Sequence, residues 1–232
     1  MMLQELADVM AAVPMDGSRA DYRDAIMQRN VLGKTTESTR EKSLRHLREL
    51  YALDNRSSIF GLLRTLSNAD GGSMSQLALQ VAWARDPLLR ATTGPVFDSA
   101  EGERVKTEAL ARAVATTFPE QYSELSRNTI ARNCASSWTQ SGHLAGKTQK
   151  IRQRIRPTVA SVTMALFLGQ ISGYYGLSVF ANPWCQLLDL NADGAKAMGM
   201  EAHRAGLLTL RAIGEVIELS FPLFAKFQEV QF

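Results

Sequence analysis

The segment PTVASVTMALFLGQISGYYGLSVFANPW, residues 157–184, carries no charged side chain over 28 positions. A stretch of this kind either crosses a bilayer or fills a core. Its Ser, Thr, Tyr and Gln170 content is too polar for a span, and Gly169, Gly173 and Gly176 interrupt its helical part. We therefore expect a buried core helix and no membrane partner. A chain of 232 residues, 45% hydrophobic and 21% charged, is large enough to enclose one.

The first half reads as successive short helices. Leu3, Leu6, Met10 and Val13 keep a helical spacing that Pro14 ends, and Ser18 is placed to cap a second helix through Tyr22, Ile26 and Arg29. Ser38 and Glu41 have capping-box spacing ahead of Leu44, Leu47 and Tyr51. Two more helices are expected from Ser57 and Ser73. Residues 86–103 contain two prolines and two glycines without a sustained period, so a domain boundary is placed there. The division is 1–90, a helical, helix-turn-helix-like domain, and 91–232, a second helical domain. Near the end, a helix from Ala195 to Ala212 is expected before a short strand in GEVIELSFP, where Ile217, Leu219 and Phe221 alternate. The fold class is mainly α, with a few short strands.

Charge is distributed unevenly. The net charge is only +3, yet no Asp or Glu lies between Glu124 and Asp189, an interval holding Arg127, Arg132, Lys147, Lys150, Arg152, Arg154 and Arg156. The remainder of the chain is at −4. Such asymmetry favours a local anionic partner over a merely solvated basic face.

Within this interval residues 126–140 form an amphipathic helix, with Ser126 as its expected N-cap. Ile130, Ala131, Cys134, Ala135 and Trp138 gather on the apolar side; Asn128, Thr129, Arg132, Asn133, Ser136 and Gln140 fill the other. Amides, hydroxyls and guanidiniums donate to phosphate oxygens and base edges, whereas a carboxylate would repel them. Gly142 can end the helix and Leu144 can pack back.

GKTQKIRQRIRP then alternates. Read as a strand, it points Lys150, Arg152, Arg154 and Arg156 one way and Ile151, Gln153 and Ile155 the other. Ile151 and Ile155 are also four apart, as in a helix, but Pro157 suits the start of the next helix better than a kink. A helix followed by a basic strand is the order of a winged helix-turn-helix, so residues of about 123–157 are read as a winged-helix-like DNA-binding element. The expected DNA-binding residues are Arg127, Asn128, Thr129, Arg132, Asn133, Lys147, Lys150, Arg152, Arg154 and Arg156. Lys34, Arg40 and Arg45 form a second, more mixed surface in which Glu41 and Arg45 are spaced as an ion pair.

Catalytic signatures are missing from the sequence. His46, His143 and His203 are isolated, and there is no metal-ligand spacing, phosphate loop, dinucleotide fingerprint or nucleophile elbow. We expect no enzyme activity, no cofactor and no metal. Cys134 and Cys185 are expected to be buried free thiols, and the acidic N-terminal stretch lacks a secretory pattern, which favours the cytoplasm.

The order of NVLGKTTESTREKSLRHLREL, LALQVAWARDPLLRATTGPVF, YSELSRNTIARNCASSWTQSGHLAG with RIRP, and LRAIGEVIELSFP resembles the small BrxA-type accessory proteins of bacterial BREX phage-defence systems. The resemblance implies a mostly helical protein with helix-turn-helix-like modules. It further implies double-stranded DNA as partner, other BREX components alongside it, and no catalysis. A protein-interaction subunit and an RNA-binding helical bundle are the rival readings, the latter disfavoured because Lys147 to Arg156 contains no aromatic residue for base stacking.

Overall fold

The computed structural model describes residues 1–54, 58–213 and 216–227. The expected helix start at Ser57, and Gly214 and Glu215 of the C-terminal strand motif, lie outside the described residues. Twelve α-helices and five short antiparallel strands are present among those described.

In order, α1 (Leu3–Ala12), α2 (Arg19–Met27), α3 (Glu37–Tyr51), α4 (Ser58–Ala69) and α5 (Met74–Arg85) lead into two five-residue helices, α6 (Pro87–Ala91) and α7 (Thr93–Phe97). Strand β1 (Arg104–Val105) precedes α8 (Thr107–Thr117) and α9 (Glu124–Gln140), followed by β2 (Leu144–Ala145) and β3 (Lys150–Arg152). Next come α10 (Val159–Ile171), α11 (Pro183–Leu187), α12 (Ala192–Arg204) and a hairpin of β4 (Thr209–Ile213) and β5 (Val216–Ser220).

The uncharged segment builds the centre. In α10 every residue from Ala160 to Gly169 is buried, as a helix apolar on all sides requires. Thr158 and Ser161 close a capping box at its start. Gly169 is required by packing, since a Cβ there would stand 2.3 Å from Asn182 Nδ2. Helix α5 lies beside α10, and its polar buried residues serve the same end: Gln80 donates to the Ser161 carbonyl at 3.0 Å, and Gln76 to that of Arg156 at 2.7 Å. The apolar cluster is continuous from Leu6 of α1 to Phe224. No helix among the described residues is long and apolar enough to cross a membrane.

Several ends differ from expectation. Helix α3 is capped by Thr36, which accepts from the Thr39 amide, so the Ser38–Glu41 box does not form. Ser18 does close a box, with Asp21. Residues 86–103, expected to be irregular, hold α6 and α7. Helix α6 is initiated by local turn chemistry: Asp86 accepts from the Leu88 and Leu89 amides ahead of Pro87. The expected helix to Ala212 stops at Arg204, and Thr209–Ile213 is instead the partner strand of β5, from which Leu210 reaches the core.

Candidate nucleic-acid interface

Strands β1, β3 and β2 form one antiparallel sheet in that spatial order, with α8 and α9 inserted between β1 and β2. Helix α9 runs 17 residues and is capped by Ser123, whose hydroxyl accepts from the Ser126 amide at 3.2 Å. The cap is thus three residues earlier than the expected Ser126, and the first turn gains Glu124, a favourable charge at a helix N-terminus. The apolar face lies as expected: Ala131, Cys134, Ala135 and Trp138 are buried and Ile130 partly so. Trp138 anchors it, donating from Nε1 to Thr92 Oγ1 at 2.9 Å and meeting Phe97 edge to face at 5.8 Å.

The outward stripe of α9 consists of Leu125, Thr129, Arg132, Asn133 and Ser136, all exposed. Arg127 and Asn128 are half-buried in a cleft of about 670 Å³ between α8 and α9, shared with Arg112, Arg132, Glu108 and Glu124. Among the described residues no ion pair involves Arg112, Arg127 or Arg132. On the other flank Asn133, Ser136 and Gln140 border a groove of about 1160 Å³ facing α1 and α3, and Gln140 Oε1 accepts from the Leu3 amide.

The turn from β2 to β3 is four residues long, GKTQ, with Lys147 exposed at its tip. Gly146 has φ +94°, and a Cβ there would lie 2.2 Å from the Gln149 carbonyl oxygen. Only glycine suits this turn. Lys150 braces it, donating from Nζ to the Gly146 carbonyl at 2.7 Å and to Thr139 Oγ1 at 2.9 Å, which ties the turn to the last part of α9.

Register decides the fate of the other cations. Leu144 opposes Arg152 and Val105 opposes Lys150, so these four side chains share the face on which Leu144 and Val105 are buried. Arg104, Ala145 and Ile151 share the outward face. The expected alternation is present, but its phase is the reverse of the expected one. A shift of one residue moves every side chain of a strand across the sheet.

Arg152 is consequently 3% exposed and cannot reach a phosphate, a correction to its expected role. Its guanidinium pairs with Asp189, the first acid after the acid-free interval, and stacks over the Phe97 ring at 4.8 Å. Asp189 also accepts from the Ile155 amide at 3.0 Å and has a left-handed φ of +59°. Beside it His143 is fully buried, its Nε2 donating to the Leu187 carbonyl at 2.9 Å and its Nδ1 facing the Ser141 hydroxyl. Burial lowers the His143 pKa to about 4, opposed by the Asp189 carboxylate 4.0 Å away.

The strand ends at Arg152; Arg154 and Arg156 follow on irregular backbone and are exposed. Arg154 borders a hollow with Glu101, Gln186 and Asn191, at the end of the sheet away from the Lys147 tip. Lys34 pairs with Glu5 at 3.1 Å. Arg45 lies 3.9 Å from Glu49 rather than pairing with Glu41, and lines a notch of mixed charge with Arg23, Arg48, Glu41 and Glu49 on α2 and α3. Arg40 is half-buried on α3. Glu5 and Glu49, the acids that answer Lys34 and Arg45, line the same groove as Asn133, Ser136 and Gln140 of α9.

Sequence reasoning missed Arg104, Lys106 and Arg112, all exposed. They precede the acid-free interval and sit among acids, so composition does not single them out. Strand pairing does: Val105 opposes Lys150, which sets Lys106 level with the β2–β3 turn. Cys134 and Cys185 are free and buried, with burial raising each thiol pKa to about 12, so neither is a nucleophile at neutral pH. No group of three or more His, Cys, Asp or Glu residues among those described is arranged to hold a metal ion. Comparison with protein-family models, curated proteins and solved structures finds no match to this chain.

Proposed function

We propose that this chain is a non-catalytic, duplex DNA-binding protein that acts as an accessory component of a BREX-type phage-defence system. Helix α9 enters the major groove, and the β2–β3 turn serves as the wing of a winged helix-turn-helix. One observation carries the reading: the exposed stripe of α9 and the tip of the β2–β3 turn are cationic or neutral, on a strand–helix–helix–strand–strand unit with sheet order β1-β3-β2. That order matches the winged-helix docking mode, in which the second helix reads bases and the hairpin grips the backbone. Arg132 and Lys147 are the principal phosphate ligands, with Arg127, Lys106 and Arg112 flanking them. Asn128 and Asn133 offer amides to base edges. The defence assignment rests on the segment order that resembles BrxA-type proteins.

The test is a fluorescence-anisotropy titration against duplex DNA, single-stranded DNA and RNA at two ionic strengths. Duplex should bind tightest, and the magnitude of its log–log salt slope should fall by about 0.9 for each phosphate ligand removed in Arg132→Ala and Lys147→Ala. Equal binding of all three nucleic acids, or an unchanged slope in the double variant, would overturn the reading. Pull-down of other BREX components by the same double variant separates the rival: loss of those partners together with DNA would favour a protein-interaction surface.

A further inference from the structure

Leu125 is 76% exposed in the first turn of α9. A single exposed leucine is ordinary. What sets this one apart is the residue one turn on. The Thr129 hydroxyl donates to the Leu125 carbonyl at 3.1 Å, and its oxygen accepts from Arg132 Nη2 at 3.1 Å. With the hydroxyl's proton and one of its two lone pairs engaged within its own helix, the hydroxyl has no proton left to donate to a ligand, and the methyl group is the apolar part of Thr129 that faces outward. Leu125 and Thr129 thus place two apolar groups at i and i+4 on the outward stripe, immediately ahead of Arg132 and Asn133.

We propose that Leu125 and Thr129 read the C5-methyl group of a pyrimidine in the major groove. This rests on the duplex-binding reading above and names what α9 recognises. The N-terminal residues of a recognition helix are the ones that meet base edges. The apolar feature of those edges is the C5-methyl of thymine, or of 5-methylcytosine, and aliphatic side chains are its usual partners. Charge fits the same occupant: no carboxylate follows Glu124 along α9, and Arg132 holds a guanidinium beside the methyl pair.

The experiment selects preferred sites from randomised duplex pools, one with unmodified bases and one with 5-methylcytosine in place of cytosine. The selected site is then compared with its counterpart in which uracil replaces thymine, or cytosine replaces 5-methylcytosine. Binding should weaken about fourfold for each C5-methyl group taken away. Leu125→Ala, whose exposed position leaves folding intact by circular dichroism, should bind methylated and demethylated sites nearly alike, whereas Leu125→Met should retain the preference. The pool that yields the methyl-dependent site identifies its source. A selected site indifferent to methyl removal, or an undiminished methyl penalty in Leu125→Ala, overturns the proposal while duplex binding stands. Enrichment of no duplex at all removes both readings together.

Discussion

At Arg152 a full positive charge is held almost out of water, and what keeps it there is Asp189. Two buried charges gain little over an apolar pair of the same volume, but removing one partner strands the other. Arg152→Ala should therefore lower unfolding free energy by about 3–5 kcal/mol, read as a shift in the urea midpoint. Arg152→Met combined with Asp189→Asn should recover part of that stability. The double variant leaves no stranded charge, and asparagine tolerates the left-handed backbone at position 189. Equal destabilisation in the single and double variants would mean that packing, not charge pairing, makes Arg152 indispensable. Residue type and spacing pointed to a phosphate ligand here. The acid that neutralises it stands 37 residues later and is brought alongside only by the fold.

The β2–β3 hairpin is an element with very few ladder bonds, so its shape depends on its turn. Gly146→Ala would force a side chain into a left-handed conformation and against the Gln149 carbonyl. Strain of this kind costs about 1–3 kcal/mol. Because the hairpin is peripheral to the α5–α10 core, the change should open it locally: faster amide hydrogen exchange at Gln153, which donates to the His143 carbonyl, while the Arg152 amide, which donates to the Glu103 carbonyl on the β1 side, stays protected, with a small change in global stability. Unaltered protection at Gln153 would show that Lys150 and its bonds to Gly146 and Thr139 hold the hairpin without the turn. Helix α9 illustrates the converse case. Its apolar face, its Gly142 stop and the return of Leu144 to the core were all legible in the sequence, because a 3.6-residue period over 17 residues admits one buried face. A three-residue strand carries too little pattern to fix which face is inward.

Across the whole molecule, His143 links stability to pH. Its folded pKa is lowered by burial to about 4, below the ordinary histidine value of 6.5. Between those values the unfolded chain binds a proton that the folded chain excludes. The stabilisation is full above pH 6.5 and is lost as pH falls through that window, by at most about 1.4 kcal/mol for each pH unit. Urea unfolding at about pH 7 and about pH 5 should show the lower midpoint at the acidic value. A midpoint unchanged between them would exclude His143 as a buried neutral group.

What the sequence by itself determined is the set of elements whose signal is local and long: the buried α10, the amphipathic α9, the Ser18 cap, the buried thiols, and the acid-free basic interval. These follow from hydrophobic period, backbone capping chemistry and charge, each read within one segment. What only the tertiary structure decided is which cations remain available. Strand pairing turned Lys150 and Arg152 inward, Asp189 arrived from the far end of the acid-free interval, and β1 delivered Lys106 to the side of the hairpin tip. The reason is physical: a charge's availability depends on its neighbours in space, and register and long-range pairing are set by the packing of distant segments.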